Sequence, residues 1–171
     1  MSAEVYRWRC NCCGEDYEGL PTDLAFDPPF TWESFREAGG KDTHIDDDFC
    51  ALFYENGSVD RFIRCIMTFH VHELGNDFRF GVWVSVSENS WNVYAKGFNT
   101  GVYGVHGCFG YLMHEIPEFP GSALLHLDVH FRDGQLRPEV FLQDSDHPLV
   151  AVQREGVSVT QVQRWVATTH S

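Results

Sequence analysis

Residues 78–87 read FRFGVWVSVS, and this stretch indicates the fold of the chain more clearly than any other. Its three valines occupy alternate positions, separated by Trp83 and Ser85. Because successive side chains of a strand point to opposite faces of a sheet, this alternation predicts a β-strand with one apolar face.

Two hairpins are predicted on either side of this strand, each a pair of strand-like segments around an Asn-Gly or Asp-Gly turn. They comprise residues 49–55 and 60–69 around Asn56-Gly57, and residues 123–131 and 136–143 around Asp133-Gly134. Together with residues 78–87, these segments predict one mainly antiparallel sheet.

The best-marked helix lies at the C-terminus. Ser158 followed three residues later by Gln161 forms a capping box, and Val157 with Val162 forms a hydrophobic staple. Trp165 then continues an apolar stripe from Val162 that predicts packing against the sheet. The predicted fold class is therefore α+β, a mainly antiparallel sheet with a C-terminal helix packed on it.

Two shorter helices and a loop complete the prediction. Thr31 is expected to cap a helix over residues 32–38, and a second helix is expected over residues 88–96, ended by Gly97. The acidic residues 42–48 predict a solvated loop. We expect a single domain over 1–171, with a knuckle and proline-rich arm at 1–30 and the sheet and helix body at 49–171.

The charge of the chain limits its partners. With 25 acidic and 12 basic side chains the net charge is −13, which disfavours nucleic acid and favours a protein partner with a basic surface. No apolar run approaches the ~20 residues that span a bilayer, so no membrane association is expected. The N-terminus lacks the pattern of a signal peptide, and we expect a cytoplasmic protein.

Short motifs in order along almost the whole chain resemble a bacterial family known as domain of unknown function 2199. The motifs are Cys10-x-x-Cys13-Gly14, Gly19-Leu20-Pro21, Asp48-Phe49-Cys50, Arg64-Cys65, residues 81–88, Leu136-Arg137-Pro138, Asp146-His147-Pro148-Leu149 and residues 153–157. The resemblance implies a bacterial, cytoplasmic, single-domain protein. It implies no activity.

The N-terminal cysteines suggest a metal site. Cys10 and Cys13 have the spacing of a zinc knuckle, and structural zinc sites are built from two such halves. The second half would be Cys50 and Cys65, giving a structural zinc held by four cysteines. Other ligands could complete the knuckle instead, or the chain could bind no metal.

The length of the first hairpin loop decides whether Cys50 and Cys65 can share an ion. A loop over residues 56–59 would place Cys50 directly opposite Cys65, with Cβ atoms ~5 Å apart. A two-residue turn at Asn56-Gly57 would place Cys50 opposite Ile63 instead. In that case both thiols are buried core residues, as free cysteines commonly are.

A second group of polar residues lies on one predicted strand. His126, Asp128 and His130 share one face by their spacing. A two-residue turn at Asp133-Gly134 would place Asp128 opposite Glu139 and His130 opposite Arg137. We interpret this face as solvent-exposed sheet surface, with Arg137 balancing the two carboxylates.

Two functions remain open from the sequence. The first is a non-enzymatic interaction domain that binds a basic protein partner, with a structural zinc knuckle. The alternative is a metal-dependent hydrolase that uses His70, His72 and the face of Asp128. The hydrolase requires those strands to be neighbours with their polar faces in one cleft.

Overall fold

The structure is a computed structural model that describes residues 7–9 and 14–169. These residues contain ten strands and four helices. The strands are β1 (Arg7–Arg9), β2 (Asp16–Glu18), β3 (Asp23–Ala25), β4 (Gly40–Ile45), β5 (Phe49–Tyr54), β6 (Val59–Val71), β7 (Asn76–Val86), β8 (Gly107–Leu112), β9 (His126–Arg132) and β10 (Leu136–Leu142). The helices are α1 (Trp32–Glu37), α2 (Glu88–Thr100), α3 (Pro148–Glu155) and α4 (Val159–Thr169).

The long β6–β7 hairpin forms the centre of the main sheet, as the alternation in β7 predicted. Its strands pair antiparallel from Arg61 and Val86 to Val71 and Asn76. β5 and then β4 extend the sheet beyond β6, and β8, β9 and β10 continue it from β7. β10 then pairs in parallel with β6, so the strands from β6 to β10 close into a five-stranded barrel.

The predicted α+β class is confirmed, but the sheet is not simply antiparallel. β3 joins β7 in parallel, and the closing pair of β10 with β6 is also parallel. Both pairs join segments far apart in the chain, so neither leaves a local signal. None of the helices in the described residues is long and apolar enough to cross a bilayer.

The barrel interior holds the main core, built from alternate residues of its two central strands. These residues are Ile63, Cys65, Met67, Phe69 and Val71 of β6, and Phe78, Phe80, Val82, Val84 and Val86 of β7. α4 contributes Val162, Trp165 and Val166 to the same core. Its start is the predicted one, because the Ser158 hydroxyl accepts the N–H of Gln161 at 3.1 Å. The docking of the C-terminal helix is therefore confirmed.

A smaller apolar cluster lies on the opposite, outer face of β5, β6 and β7. Its buried members are Phe35, Cys50, Leu52, Phe62 and Trp83. α1 covers this face, and Thr31 caps the helix as predicted by accepting the N–H of Ser34 at 3.1 Å. A Cβ on Gly40 would lie 2.5 Å from the carbonyl oxygen of Phe35, so the glycine allows α1 to approach β4.

Local predictions failed where packing overrides propensity. α2 does not end at Gly97 but continues to Thr100, and Gly101 ends it in the left-handed conformation. A Cβ on Gly97 would lie 2.0 Å from the ring of Tyr103, so this glycine serves close packing rather than helix termination.

The predicted acidic loop over residues 42–48 is also wrong in part. Its first residues belong to β4, and only residues 46–48 form a turn. The Asp46 carboxylate accepts the N–H groups of Asp48 and Phe49, which fixes the turn. α3 was not predicted; His147 caps it by accepting the N–H of Leu149.

Candidate ligand pocket

A cavity of about 620 Å³ opens on the outer face of the sheet, and we call it the outer pocket. It lies between α1 with the arm that precedes it, the outer faces of β5 and β6, and the segment that follows β8. Four aromatic side chains line it, namely Phe30, Phe35, Tyr54 and Phe62. Asp27, Asp60 and His114 add polar groups.

The aromatic walls are held together by contacts between rings. Phe35 lies with its ring centroid 5.7 Å from that of Phe30 and 5.6 Å from that of Tyr54. Tilted and edge-to-face pairs at such distances are favourable. The rings therefore form a preorganised apolar surface under α1.

Tyr54 and Asp60 form a hydrogen-bonded pair at the pocket. The phenol donates to Asp60 Oδ2 at 2.8 Å. Burial, together with this carboxylate, raises the pKa of Tyr54 to about 12. The phenol is therefore neutral at physiological pH, and Asp60 keeps further lone pairs for a ligand.

His114 is the buried polar group of the pocket wall. Its Nε2 accepts the backbone N–H of Trp83 at 2.9 Å, and its ring stacks on Phe26 at 4.6 Å. The accepting Nε2 assigns the proton of the neutral ring to Nδ1. Burial, reinforced by the charge of Arg64, lowers the pKa of His114 to about 4, so the imidazole is uncharged at neutral pH.

Arg64 lies behind this wall, stacked on an aromatic ring. Its guanidinium carbon is 5.3 Å from the ring centroid of Trp83, a cation–π arrangement. Nη2 contacts the carbonyl oxygen of Phe26 at 3.5 Å. Within the described part of the chain, the buried Nε of Arg64 has no hydrogen-bond partner.

Separate motifs of the family resemblance meet next to Arg64. The backbone N–H of Arg64 donates to the carbonyl oxygen of Asp48, and Arg137 Nε forms an ion pair with Asp48 Oδ1 at 3.0 Å. The charge of Arg137 also contributes, after burial, to lowering the pKa of Arg64. Residues from the Asp48, Arg64, Trp83 and Arg137 motifs thus form one contact network beside the outer pocket.

The cysteine pairing predicted for a zinc site is wrong. The β5–β6 register places Cys50 opposite Phe62, not opposite Cys65 or Ile63. The reason is the loop, which spans the three residues 55–57 rather than 56–57 or 56–59, because the Tyr54 N–H donates to the carbonyl oxygen of Ser58.

The two cysteines lie on opposite faces of the sheet. Cys50 belongs to the outer cluster, whereas Cys65 belongs to the barrel core. Burial raises the pKa of the Cys50 thiol to about 12 and that of Cys65 well above its usual value. Cys10 and Cys13 lie outside the described residues, so the knuckle itself stays a prediction.

The residues of the hydrolase alternative are not brought together. His70 Nδ1 lies 3.4 Å from Asp77, and His72 Nε2 donates to the carbonyl oxygen of Glu155 at 2.7 Å. Asp128 lies on β9, and β10 separates that strand from β6. Among residues 7–9 and 14–169, no group of three or more His, Cys, Asp or Glu side chains is arranged to hold a metal.

The face of β9 is exposed as predicted, but its partners differ. His126, Asp128 and His130 are all exposed. An irregularity between Leu136 and Glu139 shifts the register, so Glu139 lies opposite His130 and Asp128 lies opposite a phenylalanine. Arg137 instead pairs with Asp48, so it does not balance this face.

A second cavity, of about 350 Å³, lies between the Gly19–Thr22 arm, the tip of the β6–β7 hairpin and α4. Its lining is mostly apolar, and Asp77 is the one charged residue among the described residues that line it. The outer pocket has the richer set of charged and hydrogen-bonding groups.

Sequence reasoning missed the outer pocket because its walls come from three segments that are far apart in the chain, residues 27–38, the β5–β6 hairpin and residues 113–114. The available signal was His114, a histidine that closely follows the strand-like Phe109–Leu112 segment. Its burial shows that it has a structural partner, and that partner, the N–H of Trp83, belongs to the most strand-like segment of the chain.

Comparison with curated proteins finds no match, and comparison with solved structures finds none either. A family model described as an uncharacterised protein conserved in bacteria, DUF2199, matches residues 9–157. This match covers most of the chain and confirms the resemblance seen in its motifs. The chain therefore belongs to the bacterial family DUF2199.

Proposed function

We propose that this protein is a non-enzymatic binding domain whose outer pocket receives a basic side chain of a protein partner. The observation that carries the proposal is the lining of the pocket, in which Asp27 and Asp60 lie among aromatic rings. None of the described residues that line it is a lysine or an arginine. The pocket therefore combines apolar walls with two carboxylates, of which Asp27 also interacts with the charge of Arg64 behind the wall.

Lysine and arginine side chains have the matching chemistry. Each has an apolar stem and a cationic head, and the stem would pack against walls such as Phe35 and Phe62. The cation gains about 0.5–2 kcal/mol over an aromatic face, depending on its desolvation. Charge-assisted hydrogen bonds to Asp27 or Asp60 would add to this attraction.

The electrostatics of the site support the same ligand. His114 stays neutral at physiological pH, so it does not repel a cation. The net charge of −13 would also steer a basic partner toward the protein and speed its association.

The titratable groups in and behind the pocket favour binding over catalysis. Burial and the neighbouring Asp60 carboxylate raise the pKa of Tyr54 to about 12 and keep it protonated. Burial and the charge of Asp46 do the same for Cys50, whose pKa is also about 12. Nε2 of His114 is engaged by the N–H of Trp83. A phenol, a thiol and an imidazole held in their neutral forms supply fixed dipoles rather than a proton relay.

We also propose that Cys10 and Cys13 form a structural zinc knuckle whose other ligands are not the pair Cys50 and Cys65. Protein purified without chelator should contain about one zinc per chain, and Cys10→Ser should lose it. Zinc content unchanged in Cys10→Ser would contradict this part of the proposal. The hydrolase alternative has no support from the positions of its residues.

The pocket is tested by calorimetry with a short acetylated peptide that contains one arginine. Asp27→Asn/Asp60→Asn should weaken binding about tenfold or more, equivalent to about 1.4 kcal/mol. Asparagine at position 60 still accepts the Tyr54 hydroxyl, so the wall should keep its shape. The peptide with glutamine in place of arginine should not bind.

A matched control separates the pocket from the overall charge. Asp146→Asn/Glu155→Gln removes two exposed carboxylates elsewhere and should leave the affinity within about twofold of wild type. Equal losses in the two double variants would show that only the net charge matters, and the proposed site would be wrong.

A further inference from the structure

An exposed aromatic patch lies on the outer face of β8, β9 and β10. Phe109, Tyr111 and Phe141 are 43, 38 and 40 % exposed, and they surround His126 and Asp128. We call these five residues the strand patch. Exposed aromatic groups gathered on one surface commonly mark an interaction site.

The register of β8, β9 and β10 places the Asp128 carboxylate between two aromatic rings of the strand patch. Asp128 lies directly between Phe109 and Phe141, its cross-strand neighbours on either side. Gln143 Nε2 donates to Asp128 Oδ1 at 2.8 Å, which fixes the carboxylate while leaving acceptor capacity. The ring of His126 packs on those of Tyr111 and Phe109 at 4.9 and 5.2 Å.

The strand patch continues from the outer pocket on the same face of the sheet. Phe62, which lines the pocket, pairs with Ser85, and Ser85 pairs with Tyr111. Tyr111 in turn pairs with His126. Three strand spacings of ~4.8 Å therefore separate β6 at the pocket from β9 at the patch, about 14 Å along the surface.

We propose that the basic partner binds as an extended segment with two cationic side chains, one in the outer pocket and the other on the strand patch. This inference rests on the proposed function. An extended chain advances ~3.3 Å per residue, so about 14 Å corresponds to cationic residues four to five positions apart. The second cation would lie over Phe109 or Phe141 and pair with Asp128.

The charges at the patch select this occupant. Asp128 and the neighbouring Glu139 are acidic, and the five residues of the patch include no lysine or arginine to bind phosphate. Nucleic acid and anionic lipid are therefore disfavoured. A second copy of the chain would bring the same acidic face and another −13 charges.

The test uses acetylated peptides with two arginines separated by zero to eight Gly/Ser residues, measured by calorimetry against the single-arginine peptide. Affinity should be greatest when three or four Gly/Ser residues separate the arginines, which places them four or five positions apart. The affinity of that peptide should be about tenfold or more above that of the single-arginine peptide. Replacing either arginine of the best peptide by glutamine should remove the gain.

Variants assign the gain to the strand patch. Phe109→Ser/Asp128→Asn should abolish the gain and leave binding of the single-arginine peptide unchanged. Phe53→Ser/Asp42→Asn is the matched control, because it changes another exposed phenylalanine paired across strands with an aspartate. This control variant should retain the full gain.

The outcomes separate the inference from the function on which it rests. If the single-arginine peptide binds but spacing and the patch variant have no effect, the strand patch is not part of the site. If no arginine peptide binds, the proposed function fails and the inference with it. If sedimentation shows that wild type self-associates and the patch variant does not, the face is a contact between copies and the inference is overturned.

Discussion

Protonation of His114 should destabilise the protein as the pH falls. Only the neutral imidazole can accept the N–H of Trp83 through Nε2, and the residue is 9 % exposed. Burial and the charge of Arg64 lower its pKa to about 4, against about 6.5 for an exposed histidine. The unfolded chain therefore binds the proton more tightly than the folded chain.

The size and the pH range of this effect follow from linkage. The contribution of His114 to stability is complete above about pH 6.5 and is lost as the pH falls. At pH 4 the stability lost in this way is about 3 kcal/mol. Between pH 7 and pH 5 the loss is about 2 kcal/mol. This is a large part of the 5–15 kcal/mol by which a typical domain is stable.

Urea denaturation of wild type and His114→Gln at pH 7 and pH 5 measures the effect. The glutamine carbonyl can accept the N–H of Trp83 but does not titrate, and all other titrating groups are common to both proteins. Wild type should lose about 2 kcal/mol more than the variant between the two pH values. Equal losses would refute the assignment of a buried neutral imidazole at this position.

Three further predictions concern the packing. Trp165→Ala should lower the free energy of unfolding by about 3–5 kcal/mol in urea denaturation, because its fully buried indole packs on Phe69 and donates to a carbonyl oxygen. The control Trp32→Ala, at a 56 % exposed position, should lower it by under about 1 kcal/mol. Similar losses in the two variants would contradict the docking of α4. Asp46→Ala should cost about 1–2 kcal/mol in the same assay through loss of its two N–H partners, whereas a cost near zero would mean that residues 46–48 are the solvated loop first expected. Cys50 should react with iodoacetamide only in unfolded protein, and rapid labelling of the native state, seen by peptide mass spectrometry, would contradict its burial and raised pKa.

Local patterns in the sequence predicted the elements whose causes are local. The β7 strand follows from its alternation, and the starts of α1 and α4 follow from hydroxyl caps at Thr31 and Ser158. Strand registers were not predictable in the same way. One residue in the length of the β5–β6 loop changes the partner of Cys50, and a register shift before Glu139 moves Asp128 away from that residue.

The candidate site was out of reach of the sequence for a related reason. Asp27, Tyr54 and His114 come from an arm, a strand and a loop, and these segments meet only where the arm and the loop pack on the outer face of the sheet. The acidic composition leads us to expect a basic partner, because net charge is a property of the whole chain, and that partner stays a prediction. It could not indicate which surface that partner contacts.

The central claim, that the outer pocket binds a basic side chain, is tested most directly by NMR. Acetyl-arginine amide is titrated into uniformly ¹⁵N-labelled protein, and the shift of every backbone amide and tryptophan indole signal is followed. The largest shifts should belong to residues around Phe35, Tyr54, Phe62 and His114, and the glutamine analogue should produce none of them. Shifts that are spread over the acidic surface, or centred on another cavity, would contradict the account.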